Sequence, residues 1–217
     1  MDMEQARYNM VEQQIRPWDV LDQDVLDLLF KVRREDFVPQ AHRALAFVDM
    51  EIPLGHGQAM WTPKLEARAI QELAIRATDR VLEIGTGSGY LTALLAAEAA
   101  AVVSVDIVPE FTAAAAQKLH AHGFGNVTLH SGDAARDWPD ETGFDVIVLT
   151  GSTPLLADAL RRRLRVGGRL FAIVGEAPVM QAQLVTCTAP GATRSVTLFE
   201  TSVAPLLNAP QPAAFVF

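Results

Sequence analysis

Between residues 80 and 174 the chain repeats one unit: a short run of Val, Ile and Leu, a polar or glycine-rich turn, then a helix-compatible stretch. The apolar runs are RVLEIG (Arg80–Gly85), AVVSVD (Ala101–Asp106), NVTLHSGD (Asn126–Asp133), FDVIVLT (Phe144–Thr150) and RLFAIV (Arg169–Val174). Helices are expected over Ser88–Ala97, from Pro109 to about His122, and over Pro154–Arg165, with Gly167 and Gly168 breaking the chain before the last run. Strands that are apolar on both faces and bracketed by helices belong in a mostly parallel sheet covered on both sides. A ligand of such a sheet sits beyond the C-terminal ends of its strands, near the topological switch.

The flanks add helices before and a hairpin after. One helix is expected over Glu4–Ile15, stopped near Pro17, and a second over Val20–Phe30 with Asp19 as its cap. Val48–His56 reads as an extended piece followed by a loop. A third helix follows Thr62, with Pro63 in its first turn and Leu65, Ala69, Ile70 and Leu73 as its stripe. Gln183–Thr188 and Arg194–Ser202 read as a hairpin turning at Pro190–Ala192, and the aromatic end of the final NAPQPAAFVF is expected to pack on the body. The whole is expected to be one domain, with residues 1–60 as an N-terminal helical extension and 61–217 as the α/β core.

Composition narrows the partners. Twenty-six acidic residues against eighteen basic ones give a net charge of -8, an unsuitable field for nonspecific nucleic-acid binding. The basic run Arg161–Arg165 ends a predicted helix and reads as a solvated end complementing the dipole. One cysteine, Cys187, excludes an intrachain disulfide and is expected to be a packing residue in a reducing compartment. The first twenty residues lack the apolar core of a signal peptide or membrane span, so the expected location is cytoplasmic, with no membrane partner. His56, His120, His122 and His130 form no metal-ligand spacing, and no metal is expected.

The chemistry-bearing motif is Glu83-Ile84-Gly85-Thr86-Gly87-Ser88-Gly89-Tyr90. It closes the first strand of the repeat and opens a helix. Its G-x-G-x-G spacing departs from the dinucleotide fingerprint, since Tyr90 stands where a third glycine is needed, and it lacks the lysine of a phosphate loop. Glu83 before the loop suits a cationic or amino-bearing ligand. Asp106 ends the second strand, where a carboxylate can accept ribose hydroxyls. Asp133 follows the third, placed either to meet an adenine edge or to close an Asx turn.

VLEIGTGSGY followed by VVSVD resembles the cofactor half of S-adenosylmethionine-dependent methyltransferases. Met10–Pro39, Ile52–Gln58, NVTLHSGDA and FDVIVLT together resemble the protein-L-isoaspartate O-methyltransferase family, over residues 5 to 175. The resemblance implies an α/β fold, doubly wound and Rossmann-like: a mostly parallel seven-stranded sheet with an antiparallel strand and a modified order of its last two strands. It implies S-adenosyl-L-methionine as cofactor, methyl transfer to an isoaspartyl carboxylate of damaged proteins, and isoaspartyl peptides or proteins as partners. Glu83, Gly85, Thr86, Gly87, Ser88, Gly89, Asp106, Ile107, Gly132, Asp133, Ala134 and Thr150 are the implied cofactor residues. Gln58 and Pro63 match the family's acceptor loop, and Gln58, Trp61, Thr62 and Ser152 are the candidate catalytic residues around the acceptor.

Two segments depart from the family. Its acceptor loop carries hydroxyls where this chain has Ala59 and Trp61 in Gly57-Gln58-Ala59-Met60-Trp61-Thr62-Pro63. Trp61 reads as a wall of the acceptor site, as packing against the N-terminal helices, or as an interface residue. After FDVIVLT comes Gly151-Ser152-Thr153-Pro154 in place of a small alanine-rich segment. There Ser152 or Thr153 either supplies hydroxyls to the acceptor or caps a helix opening at Pro154. A different carboxylate acceptor, or a non-catalytic cofactor-binding protein, are the alternative readings.

Overall fold

The computed structural model describes residues 2–138 and 143–212. Asp2 caps α1 (Met3–Met10) by accepting from the Glu4 and Gln5 amides. The helix tightens through a π turn at Val11–Ile15 and a 3₁₀ turn at Arg16–Trp18. The cap of α2 (Gln23–Lys31) is Asp22, not Asp19: Asp22 Oδ1 accepts from the Asp24 amide at 2.9 Å, while Asp19 occupies the left-handed turn (φ 61°). A small antiparallel hairpin follows, β1 (Ile52–Gly55) and β2 (Gln58–Met60), turning through Gly55, His56 and Gly57, all at positive φ. It extends the expected loop with a returning strand. Thr62 occupies the N-cap position of α3 (Pro63–Leu73), but its hydroxyl makes no capping bond.

The repeat then runs β3 (Arg80–Ile84), α4 (Tyr90–Glu98), β4 (Ala101–Asp106), α5 (Pro109–Ala121), β5 (Val127–Ser131), β6 (Phe144–Thr153), α6 (Asp158–Arg162), β7 (Leu164–Glu176), β8 (Val179–Ala189) and β9 (Ala192–Thr201). The strands form one seven-stranded sheet in the order β5-β4-β3-β6-β7-β8-β9. β8 is antiparallel to both its neighbours, and the other four pairings are parallel. Expectation and structure differ between β6 and β7. The helix there is five residues long, and Gly167 and Gly168 lie inside β7 rather than before it. A Cβ on Gly168 would stand 2.9–3.1 Å from the carbonyl oxygens of Arg165, Asp145 and Phe144, so the strand passes its neighbour at a distance only glycine allows.

The pleat sorts the core. Val81, Val102, Val146, Val148, Phe171 and Ile173 face the N-terminal helices with α3 and α4, whereas Leu82, Ile84, Val103, Val105, Ile147, Leu149, Leu170 and Ala172 face the other layer with Leu156, Leu160 and Cys187. The basic run is tied down more than a solvated helix end would be: Arg161 pairs with Asp158, Arg163 with Asp137 and Arg165 with Asp145. The packing expected of the tail's aromatic end falls on residues 213–217, outside the described residues.

Candidate active site

The C-terminal ends of β3, β4, β5 and β6 converge on one cleft because neighbouring parallel strands end together and their loops leave in the same direction. At the end of β3 the chain turns through Gly85, Gly87 and Gly89, at φ 100°, 50° and 82°. The turn is held by backbone and by one carboxylate. Gly85 N–H donates to the Val105 carbonyl at 2.7 Å, Gly89 N–H to the Thr86 carbonyl at 2.9 Å, and Gly87 N–H to Asp106 Oδ2 at 2.8 Å. Asp106 Oδ1 also accepts from Val108 N–H at 2.9 Å, and burial raises its carboxyl against the lowering effect of these amide bonds.

Gln58, Gly85, Gly87, Asp106, Ile107, Gly132, Asp133, Ala134 and Thr150 line this cleft, with Leu54, Ala59, Val108, Phe111, Ala135, Leu206 and Leu207. Thr150 Oγ1 donates to the Ile84 and Gly85 carbonyls at 3.0 and 2.8 Å, tying β6 to the loop. Asp133 is exposed and makes the Asx-type bond, its Oδ1 accepting from Ala135 N–H at 3.0 Å, while Oδ2 accepts from Asn208 Nδ2 at 2.9 Å. A smaller chamber adjoins the cleft across Leu54, Ala59, Gly85, Gly87 and Thr150. Thr86, Ser88, Met60, Trp61, Leu91 and Glu66 complete its wall.

Four residues singled out in the sequence line neither space. Glu83 is fully buried beneath the loop, where Oε2 accepts from Ser104 Oγ at 2.6 Å and Thr92 Oγ1 at 2.5 Å. The Thr86 hydroxyl contacts Ser104 at 2.6 Å, so Glu83 anchors the loop from below; burial pushes its carboxyl up to about 8. Gly89 opens α4, and a Cβ there would stand 2.9 Å from Ala115 Cβ: its bareness serves packing between α4 and α5. Ser152 is neither an open hydroxyl nor a helix cap. It lies within β6, 1 % exposed, and donates to the Val203 carbonyl at 3.2 Å. Thr153 Oγ1 donates to the Leu155 carbonyl, and the short helix begins only at Asp158. Thr62 is half-buried at the start of α3.

Trp61 is 5 % exposed, with its ring edge-on to Phe171 at 6.2 Å between centroids and its carbonyl accepting from Arg34 Nη2 at 2.7 Å. It is thus a packed core residue with one side on the chamber. Glu66 was not apparent from sequence, because an acid in the first turn of a helix ordinarily serves the dipole. Here it is 2 % exposed and paired with Arg34. The strap Val203–Asn208 was equally hidden: it runs beside β6 through Ser152 N–H to Ala204 and Leu206 N–H to Ser152, bringing Leu206 and Leu207 to the cleft. Among the described residues no three His, Cys, Asp or Glu side chains form a metal-binding group, and no helix is long and apolar enough to cross a membrane.

Comparison with known proteins places this arrangement. The profile of the protein-L-isoaspartate(D-aspartate) O-methyltransferase (PCMT) family matches residues 5–207. Protein-L-isoaspartate O-methyltransferase 2 of Anaeromyxobacter sp. strain Fw109-5 is 39 % identical over 189 residues, 87 % of this chain and 78 % of that protein. The Myxococcus xanthus protein-L-isoaspartate O-methyltransferase is 40 % identical over 156 residues, 72 % of this chain and 74 % of the relative. In fold, the chain matches a Plasmodium falciparum structure assigned to the same methyltransferases and solved with S-adenosyl-L-homocysteine. The TM-score is 0.81 at 19 % identity, covering 91 % of this chain and 96 % of the other. With a profile spanning nearly its whole length and relatives near 40 % identity, the chain belongs to the protein-L-isoaspartate(D-aspartate) O-methyltransferase family.

Proposed function

We propose that the cleft holds S-adenosyl-L-methionine and that the adjoining chamber receives an isoaspartyl side-chain carboxylate, the acceptor in the repair chemistry of this family. The observation that carries the reading is Asp106: a carboxylate at the end of β4, fixed by two backbone amides, on the cleft wall beside a bare glycine turn. The donor set fits a nucleoside. Asp106 would accept ribose hydroxyls, Ile107, Ala134 and Leu206 would enclose the base, and Asp133 would stand at the base's edge. Gly85, Gly87 and Ser88 would lie along the methionine end, where their bare or short side chains leave room.

When bound, the cofactor supplies an electrophilic methyl group on a sulfonium. The acceptor carboxylate is ionised at neutral pH, with a reference pKa near ~4, so no side chain is needed to remove its proton. The chain's task is therefore placement and drying: Leu54, Met60, Trp61 and Leu91 give the chamber apolar walls that exclude water. Gln58, on β2 at the rim of the cleft, would orient the acceptor. Thr62 would act only through the start of α3, and Ser152 through the strap it holds.

In this reading the chain works as one unit. Residues 1–60 build the acceptor side against the core of 61–217, as supported by the shared hydrophobic layer of the N-terminal helices with α3 and α4. The cytoplasm is its proposed setting, in keeping with the buried free thiol of Cys187.

The test is methyl transfer to an isoaspartyl peptide, to its ordinary aspartyl counterpart and to a blank, with cofactor binding measured by calorimetry. Methylation confined to the isoaspartyl peptide is expected. Cofactor binding without methylation of either peptide would overturn the acceptor, and no binding at millimolar cofactor would overturn the site.

A further inference from the structure

The chamber has a shortage of donors. Where the family's acceptor loop carries hydroxyls, this chain has Ala59 and Trp61. Of the hydroxyls that line the chamber, Thr150 already donates to the Ile84 and Gly85 carbonyls, and Thr86 is engaged with Ser104. Ser88 Oγ accepts from Tyr90 N–H. Among the described residues that form the chamber wall, Glu66 is the single ionisable one. Its Oε2 is bonded to Arg34 Nη1. Arg34 is itself fully buried, donates through Nε and Nη2 to the Ala46 and Trp61 carbonyls, and does not line the chamber. Glu66 Oε1 has no hydrogen-bond partner among the described residues.

We propose that Glu66, as the neutral carboxylic acid, donates a hydrogen bond from Oε1 to the isoaspartyl carboxylate and so replaces the missing loop hydroxyls. The proposal rests on the isoaspartyl reading above. Two carboxyls facing each other in a dry chamber hold one proton between them, because the doubly ionised pair is penalised by both repulsion and burial. Arg34 keeps the assembly attractive to an anion: acid plus guanidinium is positive, whereas ionised Glu66 would cancel that charge and repel the acceptor. The groups facing Glu66 are Arg34, which favours ionisation, and the buried carboxyl of Glu83, which opposes it. The Tyr90 phenol packs under the Arg34 guanidinium, with the Arg7–Glu35 pair beyond it. Burial dominates and pushes the Glu66 carboxyl up to about 8. Methyl transfer leaves this proton in place: the acceptor's other oxygen forms the new C–O bond as the C–S bond breaks, and Glu66 stays hydrogen-bonded to the carbonyl of the ester.

Glu66→Gln separates donation from titration. The amide oxygen still accepts from Arg34, and the amide N–H₂ donates without titrating. Initial rates on an isoaspartyl peptide, at saturating cofactor, are compared at pH 6.5 and 9.0. The parent is expected to lose about ten-fold over this range, from a carboxyl titrating at about 8. The Gln variant is expected to be a few-fold slower than the parent at pH 6.5, to vary less than about two-fold with pH, and to overtake the parent at pH 9.0. A folded Gln variant that keeps the parent's pH dependence assigns the titration to another group, such as Glu83, and overturns the proposal. So does a folded, cofactor-binding Gln variant that is inactive throughout, which would make Glu66 an ionised acceptor. A parent that binds cofactor but methylates no isoaspartyl peptide at any pH refutes the acceptor reading itself.

Discussion

Gly85→Ala probes the tightest point of the loop, and the structure allows its cost to be split. Gly85 has φ 100°, and a Cβ there would stand 2.0 Å from Thr150 Oγ1 and 3.4 Å from Thr150 Cβ. The first contact is impossible, and the second is ordinary packing. Thr150 cannot simply swing away, because its hydroxyl bonds both the Ile84 and Gly85 carbonyls. Backbone strain at such a φ contributes about 1–3 kcal/mol, and forced repacking another ~1–3 kcal/mol. Gly85→Ala should therefore destabilise by about 2–6 kcal/mol. Thr150→Ala alone should cost about 1 kcal/mol for its hydrogen bonds, but it removes the clashing atom. In that background Gly85→Ala should cost only the strain, leaving a favourable coupling of about 1–3 kcal/mol in the cycle. Urea unfolding of parent, two single variants and the double variant measures it. Additivity within ~0.5 kcal/mol would refute the account, placing the whole cost in the backbone and none in the clash with Thr150.

Asp106→Ala should weaken cofactor binding by roughly 10- to 150-fold in calorimetry, corresponding to about 1.5–3 kcal/mol for hydrogen bonds to a charged group; Asp106→Glu should be milder, and an unchanged affinity in a folded Ala variant would leave Asp106 as a loop anchor only. Glu83, raised to about 8 by burial, is protonated in the fold and ionised when unfolded between about pH 4.5 and 8. Its contribution is therefore complete below 4.5 and lost as pH rises through that window; Glu83→Gln should flatten this slope, gaining on the parent between pH 5 and 8 by up to about 4 kcal/mol in thermal melts, and parallel pH profiles would count against it. Trp61→Ser should cost about 3–5 kcal/mol, as for removing a buried indole. Ala59→Thr places a hydroxyl on the chamber wall from a half-buried strand position and should raise isoaspartyl kcat/KM without that loss; a slower Ala59→Thr enzyme would mean the loop is already adapted to its acceptor.

The parallel sheet was legible because each strand needs apolar residues on both faces, and such runs survive any choice of neighbour. The cleft was legible for the same reason, since the topology alone sends Gly85, Asp106, Gly132 and Thr150 to one edge. What sequence could not give was direction. Glu83 and Asp106 both close a strand and both look like ligands, yet the pleat turns Glu83 under α4 toward Thr92, while Asp106 reaches the cleft. Ser152 seemed to lie past the end of its strand. It is inside, because β7 pairs with it on one side at Ile173 and the Val203–Leu206 strap supplies partners on the other, and nothing local in Gly151–Pro154 encodes a strap fifty residues later. The short α6 has a similar cause: Leu164 already pairs with Phe144, so β7 starts early and takes the residues a longer helix would need.

The two halves of the site are built from different parts of the chain, and this explains where the departures fall. The cleft is made by strand ends, whose geometry the seven-stranded sheet fixes. A change there disturbs neighbours on both sides, as the Gly85–Thr150 and Gly87–Asp106 contacts illustrate. The proposed acceptor side is made by β2, the start of α3 and the N-terminal helices, which meet the sheet through side chains. Those residues can change together without disturbing a strand of the seven-stranded sheet. Ala59, Trp61 and Glu66 read as such a coordinated set. Trp61 fills a core position against Phe171, and its carbonyl holds Arg34. Arg34 in turn pairs with Glu66, which lines the chamber beside Ala59 and Trp61. One guanidinium thus ties the two positions together, bonding the backbone carbonyl of Trp61 and the carboxyl of Glu66, while the indole itself is held by packing on Phe171.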